Sequence, residues 1–260
     1  MSFLTAAVLG IIQGITEWLP VSSSGQVVLS LIEFLQMDPQ AAFSFAIILH
    51  IGTLLAVVVK FRNEIIDILR KLSWNDKLTR FLIVSTIITG IVGVPVYLVL
   101  KSVFAYGAIA NAVIGALLIV TGIVLYVSRK LSYGKTDVGQ LGYKEMTIAG
   151  AAQGISILPG ISRSGTTMAA MLLMGIKQET ALTLSFLMSI PAVIGAVVLD
   201  YAGGDLISAG FTFPEILAGI VFAFIFGYLT MDVLLRIAHR VRFDLFCILL
   251  GLVAVIVFFL

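Results

Sequence analysis

Apolar positions along the chain fall into six long runs and two interrupted ones. The long runs cover residues 41–59, 81–100, 108–127, 181–199, 214–235 and 244–260. A helix needs roughly 20 mostly apolar residues to cross a hydrocarbon core of about 30 Å, so each run predicts a transmembrane helix. The interrupted regions, 3–36 and 145–178, are broken near the middle by polar stretches bearing glycine and proline. The arms after the breaks, 26–36 and 166–176, have 11 residues each, which is too short to cross. Broken backbone at membrane depth is tolerated where it is buried in protein, and two re-entrant helical hairpins meet that condition. The opening stretch, Met1–Leu19, has neither a basic start nor an A-x-A site, so it does not read as a cleaved leader.

Composition narrows the class. The 260 residues are 60% hydrophobic and 12% charged, with mean hydropathy +1.14. Soluble domains carry about 25% charged residues, so a soluble enzyme, a disordered tail and a nucleic-acid binder are excluded. A balance of 16 basic against 14 acidic residues, net +2, implies no polyanionic partner. Cys247 is alone, so no disulfide within the chain and no cysteine-based metal site are expected. The 24 glycines suit close helix packing. The expected fold is an all-α polytopic membrane protein of one domain, residues 1–260.

Loop charge then orients the spans. Lys60, Arg62, Arg70, Lys71, Lys77 and Arg80 fall in residues 60–80, and Arg129, Lys130, Lys135 and Lys144 in residues 128–144. Arg236, Arg240 and Arg242 fall in residues 236–243, whereas 200–213 holds Asp200 and Asp205 with no basic residue and 101–107 holds Lys101 alone. The positive-inside rule puts the first three loops in the cytoplasm, the other two outside, and both termini outside, provided each hairpin returns to the side it entered.

The two broken regions match at an offset of 140: Gln13-Gly14-Ile15 on Gln153-Gly154-Ile155, Gly10 on Gly150, and Ser22, Ser24, Gly25 on Ser162, Ser164, Gly165. At 141, Ser44-Phe45 falls on Ser185-Phe186. Each half, 1–128 and 144–260, is then one hairpin plus three spans. Three is odd, so the halves enter from opposite sides: an inverted-topology repeat, with its site where the broken helices meet near the midplane.

Ionisable groups at that depth cost at least about 2.5–3.5 kcal/mol each and persist mainly where they pair or work. Two fall in the breaks, Glu17 and Arg163. Gln13 and Glu17, four apart, share a helix face. A half-helix is expected to begin near Gly25 and another near Gly165. Free N–H groups at such starts, with Ser22, Ser23, Ser24, Ser162, Ser164 and Thr167 beside them and an arginine fork, form an anion cradle suited to phosphate. The plainer alternative is a structural Glu17–Arg163 pair with serines as caps.

These residues carry a resemblance. Gln13 to Glu17 fits an (E/Q)xxxE motif, and Pro20 to Gly25 a P-V-S-S-(S/T)-G stretch. Pro159, Gly160, Ser162, Arg163, Ser164 and Thr167 complete a P-G-x-S-R-S-x-x-T motif. The chain resembles the undecaprenyl pyrophosphate phosphatase family, membrane proteins associated with bacitracin resistance, over both halves. The resemblance implies a multi-pass protein of the cell membrane. It would hydrolyse a polyprenyl diphosphate to the monophosphate at a site opening to the extracytoplasmic side, recycling the lipid carrier of cell-wall glycan. A homodimer is compatible with it. One position departs: Gln26 stands where the family usually has histidine, and glutamine cannot accept a proton. His50, in the 41–59 run, reads first as a lone polar contact on its helix and second as a substitute base in the same cavity; His239 reads as interfacial.

Several chemistries stay open. One arginine does not neutralise a diphosphate, so a divalent cation, Mg²⁺ or Ca²⁺, is the expected cofactor, with Gln13 and Glu17 as oxygen ligands. Arg163 would grip the terminal phosphate, with Gln13, Ser22, Gln26, Gly160, Ser162, Ser164 and Thr167 as further binding groups. Either Glu17 activates water, or Ser23 or Ser24 attacks while Glu17 takes the proton. The rival class is a polyprenyl-phosphate flippase or transporter built on the same repeat.

Overall fold

A computed structural model describes residues 1–104, 109–128, 134–204, 209–237 and 243–259. Arg129, Lys130, Asp205, His239, Arg240 and Arg242, used above for orientation or singled out there, lie outside the described residues. Those described form eleven α-helices and one short 3₁₀ turn, Val138–Gln140. The first broken region is α1 (Phe3–Thr16) and α2 (Ser23–Leu35); the second is α7 (Tyr143–Ile155) and α8 (Arg163–Leu173). Between them in the chain lie α3 (Pro39–Lys60), α4 (Arg62–Arg70), α5 (Lys77–Phe104) and α6 (Ala110–Ser128). Following α8 are α9 (Gln178–Ala202), α10 (Phe213–Ile237) and α11 (Phe243–Phe259).

Five helices, α3, α5, α6, α9 and α10, are long and apolar enough to span, with mean hydropathy of 2.1 to 2.4 over their most apolar stretch. The sixth expected span is α11, 17 residues among those described, at the short end of what crosses. None of the four helices in the broken regions exceeds 14 residues. Outward residues such as Ile87 and Leu229 are 56% and 66% exposed, the surface that a multi-pass membrane protein turns to lipid.

Two details differ from the sequence expectation. The half-helices start two residues early, at Ser23 and Arg163, because Ser22 and Ser162 occupy the N-cap positions. Ser162 caps in the usual way, its Oγ accepting the Gly165 N–H at 3.2 Å. Ser22 instead sits at φ +54°, a left-handed backbone, and its Oγ accepts the N–H of Gly160 across the hairpins at 2.9 Å. Residues 60–80 also hold an amphipathic helix, α4. It buries no residue and sets Ile65, Ile66, Ile68 and Leu69 on one side against Asn63, Glu64, Asp67 and Arg70 on the other.

Glycine lets the hairpins approach the spans. Helix α1 packs along α10 and α7 along α5, while α6 packs on α11, α2 on α3 and α8 on α9. A Cβ on Gly10 would come within 2.5 Å of the Gly219 carbonyl, and one on Gly14 within 2.7 Å of that of Ala223. On the other side, a Cβ on Gly150 would meet the Ser85 carbonyl at 2.5 Å, and one on Gly154 the Val92 side chain at 2.8 Å. Trp18 fixes the end of α1 by donating its Nε1–H to the Gly227 carbonyl at 2.8 Å. Between the hairpins and α3, α5 and α9 lies a cavity of about 420 Å³.

Candidate active site

Glu17 follows the last turn of α1 and is 6% exposed. Its Oε1 pairs with Arg163 Nη2, so the two ionisable residues of the breaks neutralise each other across the hairpins. Its Oε2 accepts from Gln13 Nε2 at 2.8 Å and from Ser23 Oγ at 2.5 Å. His50 Nε2 stands 3.4 Å from the same oxygen. His50 is therefore not a lone helix contact; the rotation of α3, set by packing, turns it to the carboxylate.

The His50 ring makes a second contact. Nδ1 lies 2.6 Å from the Ala46 carbonyl oxygen, which only accepts, so Nδ1 carries hydrogen. In a neutral ring Nε2 then turns a lone pair to Glu17 Oε2.

Arg163 is the first residue of α8 and lines the cavity. One of its terminal nitrogens, Nη1, is buried without a hydrogen-bond partner, and buried donors of this kind are normally satisfied. Ser22, Ser23, Ser24, Ser162 and Ser164 line the same cavity. Ser23 is the hydroxyl that reaches Glu17, while Ser162 Oγ lies 3.5 Å from Ser164 Oγ. Glu17 is the one carboxylate and Arg163 the one arginine or lysine among the described residues that line it.

Four residues expected at the site stand off the cavity. Gln13 is fully buried behind Glu17; a carboxylate only accepts, so the Gln13 amide presents its NH₂, and its Oε1 is buried without a partner. Gln26 donates to the Val21 carbonyl at 2.9 Å. Gly160, at φ +106°, is a joint: its N–H goes to Ser22 and its carbonyl accepts from Thr121 Oγ1 at 2.7 Å. Thr167 Oγ1 donates to the Arg163 carbonyl at 2.8 Å and lies 2.7 Å from Ser185 Oγ, tying α8 to α9. Thr121 was not singled out from the sequence, where a lone threonine in an apolar run gives no signal. Its hydroxyl also accepts the Ser162 N–H at 3.1 Å, so one side chain braces the end of the second break that leads into α8. Gln153, quoted above only for the repeat, lines the cavity too, donating to the Met188 carbonyl at 2.9 Å.

The donor set does not make a stand-alone metal site. No group of three His, Cys, Asp or Glu able to hold an ion occurs among the described residues, and Gln13 turns its donor, not its oxygen, to Glu17.

Residues 6–256 match the family model described as bacitracin resistance protein BacA. An undecaprenyl-diphosphatase of Methanothrix thermoacetophila is 46% identical over 97% of this chain and 96% of its own length. One of Methanococcoides burtonii is 41% identical over the whole of both chains, and one of Saccharolobus solfataricus 37% identical over 97% and 94%. On the match to nearly its whole length, the chain belongs to the bacitracin resistance protein BacA family.

Proposed function

We propose that this protein is an integral membrane phosphatase that hydrolyses a polyprenyl diphosphate, of the undecaprenyl class, to the monophosphate and inorganic phosphate. The observation that carries this is Ser23 Oγ at 2.5 Å from a buried carboxylate that is itself paired with Arg163. A hydroxyl, an acceptor for its proton and a guanidinium then belong to the lining of one cavity. Ser23 Oγ attacks the terminal phosphorus as Glu17 Oε2 takes the hydroxyl proton, and the bond to the leaving polyprenyl monophosphate breaks. Glu17 passes that proton to the departing monophosphate oxygen; water then attacks the phosphoserine, giving a proton to the freed carboxylate, which returns it to Ser23 Oγ as inorganic phosphate leaves. The Arg163 guanidinium, with the N–H groups at the start of α8, carries the charge that develops on the phosphoryl oxygens. His50 Nε2, beside the same Glu17 oxygen, takes the part of the imidazole that Gln26 does not supply.

A divalent cation, Mg²⁺ or Ca²⁺, would be held on the protein side by Glu17, the one carboxylate among the described residues lining the cavity, and would offset the charge of the diphosphate. The site is assigned to the extracytoplasmic side of the cell membrane, on the loop charges above. Support for the inverted repeat comes from paired packing: α1 on α10 answers α7 on α5, with Gly10 and Gly14 in the places of Gly150 and Gly154. The test is phosphate release by purified protein in detergent from undecaprenyl diphosphate, with and without a chelator. Release is expected; binding or movement of the lipid without any release would favour a transporter.

A further inference from the structure

Glycine is a poor helix former, and most helical glycines here have a packing reason, as Gly10 and Gly154 show. Gly90 and Gly195 do not. A Cβ built on either meets no atom within 4 Å, and neither has the positive φ that only glycine adopts readily. Gly90 falls at the middle of α5 and Gly195 lies on α9, and both line the cavity that holds Glu17. Their smallness serves the space between two helices.

That space reaches the outer surface. Gly90 is exposed and Val198, on the same wall as Gly195, is 58% exposed, yet both also line the cavity. Ile87, Ile91 and Ile194 flank them, each more than half exposed. Pro191, inside α9 and also on the cavity wall, removes a helix N–H there. The polar floor at Glu17 is thus continuous with an apolar gap that opens sideways at bilayer depth.

We propose that the gap between α5 and α9 at Gly90 and Gly195 is the exit through which the isoprenoid chain of a polyprenyl diphosphate passes from the cavity into the surrounding lipid. The inference rests on the phosphatase reading and adds where the tail lies. The tail gains no transfer energy in the gap, because lipid is just as apolar. What the gap supplies is passage: the diphosphate can rest against Ser23 and Arg163 only if the chain joined to it has a way out. A diphosphate with a tail too short to reach the gap has no such need.

The test is Gly90→Leu and Gly195→Leu, singly and together. Leucine favours helix, and its first side-chain atom meets nothing at either position, so the variants should elute and melt as the wild type does. The kcat/KM for undecaprenyl diphosphate, relative to that for isopentenyl diphosphate, is expected to fall about a hundredfold, the cost of displacing a reacting group by about an ångström. A folded double variant that keeps the wild-type ratio overturns the proposal. A second readout needs no turnover: in the Glu17→Gln protein, an undecaprenyl diphosphate with a photoreactive first isoprene unit should label peptides of α5 and α9. Excess unlabelled lipid diphosphate and Gly90→Leu should both suppress that labelling. Labelling confined to other helices, or insensitive to competitor as bulk lipid would be, overturns the exit. Absence of phosphate release from the wild type on every substrate would instead overturn the phosphatase reading, and the labelling would still decide the exit.

Discussion

Glu17 is held by Gln13, Ser23, Arg163 and His50 together, so substitutions around it should separate by what each neighbour does. Glu17→Gln keeps the size but sets a second amide against the Gln13 donor and leaves Arg163 buried without its counter-charge. Turnover should fall by about 10²–10⁴ for the lost proton acceptor, and thermal stability in detergent should drop, by up to about 3–5 kcal/mol for the broken buried pair. Arg163→Lys keeps that pairing charge and removes the planar fork with its unpartnered nitrogen. Phosphate release should collapse while the melting curve shifts little; wild-type turnover in this variant would make the pair structural. His50→Ala should cost nearly as much activity as Glu17→Gln. Because Gln26 points to the Val21 carbonyl, away from the cavity, adding Gln26→His should restore little. Strong rescue would show that the imbalance lies in Gln26 and not in His50. The pairing of Glu17 with Arg163 was legible in the sequence, since two opposite charges in otherwise apolar hairpins have few other partners. His50 was not: 33 positions separate it from Glu17, and only the packing of α3 decides which way its face turns.

At the scale of the element, the breaks themselves were legible and their joinery was not. Serine, glycine and proline runs flanked by short apolar arms mark where helices stop, and α1, α2, α7 and α8 stop there. Which serine caps and which bridges follows from contacts distant in the chain. Ser162 closes its own helix, whereas Ser22 reaches 138 residues ahead to Gly160. Thr121 is the clearest test of that joinery. Thr121→Val is close in shape but leaves the Gly160 carbonyl and the Ser162 N–H without their partner. A loss of about 1–3 kcal/mol is expected by thermal unfolding. Activity should fall with it, because the first residue of α8, displaced with Ser162, is Arg163. A variant as stable and as active as wild type would show that the break holds its shape without α6. Helix α4 was missed for a different reason: its charges, read as loop charges, masked a nine-residue amphipathic pattern that contributes nothing to the core.

At the scale of the whole molecule, the open question is which side each loop occupies, because hydrophobic length gives spans and not direction. The packing of α1 on α10 and of α7 on α5 sets each hairpin against a span of the other half, as the proposed inverted repeat expects. The direction proposed above rests on loop charge. Single cysteines can read it, since the native Cys247 is buried. Positions for them should disturb nothing. Asn75 is exposed between α4 and α5, and Gly139 stands in open space between α6 and α7. Asp137, two residues away, is a poor choice: Lys177 and Thr180 donate to its carboxylate and hold it down at about 2. Ala202 is exposed at the end of α9 and serves the opposite side. A membrane-impermeant maleimide added to intact cells should label Ala202→Cys and leave Asn75→Cys and Gly139→Cys untouched until the membrane is opened. Labelling of 75 and 139 together from outside would reverse the whole orientation but keep the repeat. Labelling of 139 and 202 from one side would mean that the second hairpin crosses instead of returning, and the inverted repeat would fall with it.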